Sequence, residues 1–67
     1  MKLYELRNAH EMTQTQLAEA LGVTTNTIAN YEKGSLEPNM SVLVALADFF
    51  DVSIDYLIGR SDDPEWP

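Results

Sequence analysis

The strongest constraint on this chain is its punctuation, because residues that start or stop helices recur at short intervals along its whole length. Thr13-Gln14-Thr15-Gln16 has the form of a capping box. In that motif the threonine hydroxyl accepts from the backbone N–H three residues on, and the glutamine reaches back. Thr24, Asn39 and Ser53 are each placed to cap a further helix. Gly22, Gly34 and Gly59 are placed to end one, since glycine adopts a left-handed backbone at least cost. Between these marks apolar residues fall at helical spacing. Leu3 and Leu6 lead to His10; Leu17, Ala18 and Leu21 follow; then come Ile28 and Tyr31, then Leu43, Leu46, Ala47 and Phe50, then Ile54, Leu57 and Ile58. No alternating strand pattern and no Asn-Gly hairpin signal interrupts them. The spacing predicts an all-α fold of five short helices with tight connections, the first over residues 2–10. The expected core is Leu3, Leu6, Leu17, Leu21, Val23, Ile28, Tyr31, Leu43, Leu46, Phe50, Ile54 and Leu57.

Such helices make one domain at most. A domain of about 60 residues buries only about 60% of the surface its unfolded chain exposes, and chains this small usually need a staple or a second subunit. With no Cys in 67 residues, disulfides, zinc ribbons and thiol nucleophiles are excluded, and a single His leaves no metal site or cofactor to expect. No run approaches the roughly 18 apolar residues of a membrane span. Met1-Lys2-Leu3-Tyr4-Glu5 has no apolar signal-peptide core, so a cytoplasmic protein is expected and Asn39-Met40-Ser41 is a chance glycosylation match. The division expected is a domain over residues 1–61, with 62–67 an acidic C-terminal tail or linker stub.

The informative stretch runs from Gln14 to Lys33. Two short helices joined through Gly22 have the proportions of a helix-turn-helix, which crosses its helices steeply through a tight turn. That geometry needs a small residue where the helices approach, here Ala18, and a turn residue tolerant of positive φ, here Gly22. It also needs apolar residues locking the pair from inside, a role that falls to Leu17, Val23, Ile28 and Tyr31. Gln14-Thr15-Gln16-Leu17-Ala18-Glu19-Ala20-Leu21-Gly22-Val23, then Ile28-Ala29-Asn30-Tyr31-Glu32-Lys33-Gly34 and Pro38, resembles the lambda-repressor-like (Xre) helix-turn-helix family. Leu46 to Arg60 is similar to the end of the same domain, so the resemblance covers about residues 2–61.

The resemblance implies a compact five-helix DNA-binding domain with helices 2 and 3 as the helix-turn-helix. Helix 3, from Thr25 to Lys33, would enter the major groove with its N-terminal residues at base edges. Thr25, Asn26, Ala29 and Asn30 would read bases: Asn can pair with adenine, Thr can touch an edge or a methyl, and Ala can pack on a methyl. Gln14, Thr24, Thr27, Lys33, Gly34 and Ser35 would meet the backbone, Gln14 with the start of helix 2 behind it. Arg7 and Glu32 match a family pair that bridges helices 1 and 3. Like Ala18 and Gly22, they are read as structural, with a phosphate also within reach of Arg7. Gln16 is read as a cap, and His10 as a helix C-terminal residue favoured by the dipole. Two departures stand out: Glu11 sits where the family often has Gly, and His10 where it often has Lys or Arg. No Arg or Gln stands at the front of helix 3, which favours A/T-containing half-sites over guanine contacts.

A formal charge of −7 argues on its own against a polyanion as partner. Its distribution weakens that argument. Residues 1–34 hold Lys2, Arg7 and Lys33 against Glu5, Glu11, Glu19 and Glu32, a net −1. Residues 35–67 hold Arg60 against Glu37, Asp48, Asp51, Asp55, Asp62, Asp63 and Glu65, a net −6. The presumed reading face must then work with amides, hydroxyls and helix ends. The overall expectation is a sequence-specific transcriptional repressor, not an enzyme, that binds a palindromic double-stranded operator as a homodimer. Phe49, Tyr56, Ile58 and Trp66 are candidates for the dimer surface. Trp66, beside Pro67, is open between a free tail and a contact with a partner. The alternative is an antitoxin or protein-interaction module that uses its acidic surface.

Overall fold

In the computed structural model, which describes residues 1–62, each helix begins and ends where a local hydrogen-bonding reason can be named. Five helices follow in order: α1 (Leu3–Ala9), α2 (Gln14–Leu21), α3 (Thr25–Lys33), α4 (Met40–Phe50) and α5 (Ile54–Ile58), with no strand among the described residues. The Thr13–Gln16 capping box is complete: Thr13 Oγ1 accepts from the Gln16 N–H at 3.0 Å, and the Thr13 N–H donates to Gln16 Oε1 at 2.8 Å. Thr24, Asn39 and Ser53 cap α3, α4 and α5 in the same sense, each accepting from the N–H three residues on. α1 is shorter than expected. Lys2 makes no side-chain cap, and its N–H instead donates to the Leu57 carbonyl at 2.7 Å, tying the start of the chain to α5.

All five helices close alike, on a left-handed residue followed by an N–H that turns back to the carbonyl five positions earlier. These bonds are Met12 to Arg7, Val23 to Ala18, Ser35 to Asn30, Val52 to Ala47 and Arg60 to Asp55. Gly22 and Gly34 fill the left-handed position on either side of α3 at φ 74° and 82°. A Cβ built at either would meet no atom within 4 Å, so it is the backbone angle and not space that calls for glycine. At the ends of α1 and α4 the same position is held by Glu11 (φ 55°) and Asp51 (φ 56°). Aspartate tolerates that region; glutamate has no such compensation.

The core joins α1, α2, α3, α4 and α5 through Leu3, Leu17, Ile28, Leu46 and Leu57, all fully buried, with Leu6, Tyr31 and Phe50 around them. α3 is the centre of the arrangement and packs against both α1 and α2, while α4 packs on α5. Four residues expected in the core, Leu21, Val23, Leu43 and Ile54, are half-buried at its rim. Ala18, Ala47 and Val52 are buried in addition: where helices approach closely, small side chains occupy the inner positions and larger ones are pushed outward.

The strained turn after α1 gives a direct test. A non-glycine residue in the left-handed region costs about 1–2 kcal/mol, and glycine returns part of that as unfolded-state entropy. Glu11→Gly is expected to stabilise the domain by about 1 kcal/mol, raising Tm by about 4–8 °C in a thermal melt. An unchanged or lower Tm would contradict the assigned strain.

Candidate nucleic-acid interface

The helix-turn-helix presents α3 with a defined inner and outer side. Ile28 and Tyr31 are buried, which leaves Thr25 and Asn26 exposed and Thr27, Ala29 and Asn30 half-exposed. The four positions expected at base edges therefore lie on the open side of one helix, but they are not equivalent. Asn26 is exposed with its carboxamide free to present both an acceptor and a donor. Asn30 is tied to the end of its own helix, since Ser35 Oγ donates to Asn30 Oδ1 at 3.2 Å and the Ser35 N–H to its backbone carbonyl at 3.1 Å. Thr25 Oγ1 bonds Thr15 Oγ1 across the turn at 3.3 Å, bringing the starts of α2 and α3 together.

The backbone-contact candidates flank this surface. Thr24 Oγ1 accepts from the Thr27 N–H at 3.2 Å and lies 2.8 Å from the Thr27 hydroxyl, so both threonines serve the N-terminus of α3. Lys33, Gly34 and Ser35 are exposed where α3 ends. Gln14 opens α2 half-buried, with Nε2 donating to Glu32 Oε1 at 3.0 Å. Sequence reasoning missed this link, along with the Thr15–Thr25 bond. Residues eighteen positions apart on different helices leave no periodic signal, and only the crossing of α2 over α3 brings them together.

Beneath the surface lies an ion pair. Arg7 Nε donates to Glu32 Oε2 at 2.6 Å and Nη2 to Oε1 at 3.2 Å, while Nη1 donates to the Met12 carbonyl at 2.7 Å. The two side chains keep only 10% and 7% of their surface exposed, so the pair is largely interior. No buried side-chain polar atom among the described residues lacks a partner. The hydrogen bond to Glu32 raises the Arg7 pKa against the opposing pull of burial, with help from the charge of Glu32 and from Tyr4. For Glu32, burial is the largest single influence and pushes the pKa up. The hydrogen bonds from Arg7 and Gln14 and the charge of Arg7 together outweigh it, leaving the carboxyl below its ordinary 4.5.

Of the residues expected at a dimer surface, Phe49 is exposed, its ring edge-on to Phe50 at 5.1 Å. Tyr56 is half-buried with Lys2 Nζ 5.2 Å above its ring. Ile58 is exposed and lines an open cavity of about 300 Å³ with Met1, Tyr31, Leu36, Pro38 and Leu43. Trp66 lies outside the described residues. His10 caps α1, its Nδ1 2.9 Å from the Leu6 carbonyl and its ring 5.0 Å from that of Phe50.

Two outcomes follow from the ion pair. Arg7→Ala strands a buried carboxylate and is expected to cost about 3–5 kcal/mol, a large share of the stability of a small domain, measured by urea unfolding. The folded carboxyl holds its proton less readily than the unfolded one, so Glu32 stabilises the fold fully above its ordinary pKa. That contribution fades as pH falls through the lowered folded value. Unfolding free energy in the wild type should therefore drop below about pH 4.5 more steeply than in Glu32→Gln; equal slopes would contradict the assignment.

Comparison with known proteins agrees with this geometry. The helix-turn-helix family model HTH_3 matches residues 3–57. The uncharacterized HTH-type transcriptional regulator YobD of Bacillus subtilis is 44% identical over 96% of this chain and 57% of its own length. The HTH-type transcriptional activator BcrR of Enterococcus faecalis is 44% identical over 91% of this chain and 30% of its own. The cryptic phage CTXphi transcriptional repressor RstR of Vibrio cholerae is 39% identical over 88% of this chain and 53% of its own. The chain thus spans little more than half the length of these relatives, or less. No solved structure gives a significant match. The punctuated five-helix fold, the α2–α3 unit and these relatives together show that this chain belongs to the lambda-repressor-like (Xre) helix-turn-helix family of transcriptional regulators.

Proposed function

We propose that the chain is the DNA-binding unit of a cytoplasmic transcriptional repressor that reads the major groove with α3, as a homodimer on a palindromic operator. The observation that carries this reading is the outer side of α3, where Thr25 and Asn26 stand exposed on a helix whose inner side is held by Ile28, Tyr31 and the Arg7–Glu32 pair. Asn26, with an unengaged carboxamide, suits bidentate pairing with adenine. Asn30 donates through its amide nitrogen while Ser35 occupies its oxygen. Thr24, Thr27, Lys33, Gly34, Ser35 and Gln14 hold the phosphates on either side. Occupying an operator is enough to exclude other proteins from it, so repression needs no contact beyond those with DNA. The protein acts by binding and not by catalysis.

A second copy serves both recognition and stability. Two recognition helices on a palindrome must sit about one helical turn apart, and a small domain gains from further apolar burial. Phe49, Tyr56 and Ile58 are supplemented as candidates by Met1 and Leu36, which are exposed beside Ile58 at the cavity near the end of α3. The acidic half, net −6 over residues 35–67, favours one rival, in which that surface docks a basic partner protein and DNA is not bound.

Selection of bound sequences from a random DNA pool separates the two: the DNA reading expects a palindromic consensus, and the rival expects no enrichment. On the recovered site Asn26→Ala should weaken binding about tenfold or more and relax preference at one base position in each half-site. Because few cations face the duplex, the log–log salt slope is expected to be shallow, on the order of −2 to −4 per dimer. A slope near −10, as for a strongly basic repressor, would overturn the amide-and-helix-end account of backbone contact.

A further inference from the structure

We propose that Glu32 is a positioning residue for DNA: by holding Gln14 in one orientation, it presets the amide that meets the operator backbone. This rests on the DNA-binding reading above. Glu32 lies on the inner side of α3 and Gln14 at the start of α2, and the carboxylate joins them to α1. Oε1 accepts from Gln14 Nε2 at 3.0 Å and from Arg7 Nη2 at 3.2 Å, and Oε2 accepts from Arg7 Nε at 2.6 Å. Arg7 is itself fixed by the Met12 carbonyl through Nη1. The carboxylate is therefore held through both oxygens, on a side chain only 7% exposed.

A primary amide carries two N–H donors. One of those on Gln14 is engaged by Glu32, which leaves the second, on the half-exposed side chain, for a phosphate oxygen. A free glutamine would lose its rotamer freedom when DNA binds; here that ordering has already happened on folding. A bare carboxylate this close to a phosphate would repel it, but Arg7 cancels the charge through two charge-assisted bonds. The cluster thus offers the backbone an oriented amide in place of a charge.

Charge alone and positioning make opposite forecasts for Glu32→Gln. Removing a negative charge should tighten binding to a polyanion, whereas releasing Gln14 should weaken it. The test is a double-mutant cycle of wild type, Gln14→Ala, Glu32→Gln and the double variant, titrated on the operator recovered by selection, with thermal melts alongside. Glu32→Gln is expected to weaken binding about five- to tenfold in the wild-type background and to cause no loss in the Gln14→Ala background. Equal effects in both backgrounds, or tighter binding in the wild-type background, would overturn the proposal. Should Glu32→Gln fail to fold, relaxation of the Gln14 side-chain amide in the free wild-type chain decides. Backbone-like rigidity supports positioning, and averaging like that of a surface glutamine overturns it. A wild-type chain that enriches no sequence would instead remove the DNA reading on which this rests.

Discussion

A guanidinium and a carboxylate face each other inside this domain, and most of its geometry depends on their being satisfied. Arg7 comes from the first helix and Glu32 from the third, twenty-five positions apart, and each would be expensive to bury alone. Once paired, they fix the roll of α3 against α1 and leave Ile28 and Tyr31 inside and Thr25 and Asn26 outside. The Met12 carbonyl and the Gln14 amide complete the cluster, so the strained turn after α1 and the start of α2 are referenced to the same point. A reading surface made of short polar side chains needs such a reference, because threonine and asparagine reach too short a distance to correct a misplaced helix.

Local rules account for much of what could be read from the chain. Thr13, Thr24, Asn39 and Ser53 announce helix starts by chemistry that acts within three residues, and Gly22, Gly34 and Gly59 announce ends in the same way. Burial was less legible, because it is decided between helices. Leu21, Val23, Leu43 and Ile54 carry the right periodicity yet lie at the rim, while Ala47 and Val52 take inner places that their size alone does not advertise. The Gln14–Glu32 and Thr15–Thr25 bonds were illegible for the same reason, since they exist only where α2 crosses α3. The DNA-contact roles proposed for Gln14, Asn26 and their neighbours rest on the family resemblance, because no local rule of capping or periodicity assigns them.

The acidity of the chain takes a different meaning once it is divided along the sequence. Net charge bears on steering and non-specific attraction and says little about fold or specificity. A surface that holds phosphates through amides, hydroxyls and helix ends gives up counterion-driven affinity on random DNA. It keeps the directional contacts that distinguish one site from another. A charge of −1 over residues 1–34 against −6 over residues 35–67 is thus compatible with selective binding, at the expense of strength on any single half-site, and a second copy would offset that weakness.

In the proposed reading the outer side and the end of α3 and the start of α2 meet DNA, and Asp48 to Asp55 do not. Amide chemical-shift mapping of the isotope-labelled chain on its selected site tests this most directly. The account predicts the largest changes at Gln14 and Thr15, across Thr25 to Asn30 and at Gly34, with smaller ones at Asp48 to Asp55, where Phe49 is a dimer candidate. Changes concentrated at Asp48 to Asp55, with Thr25 to Asn30 undisturbed, would contradict it.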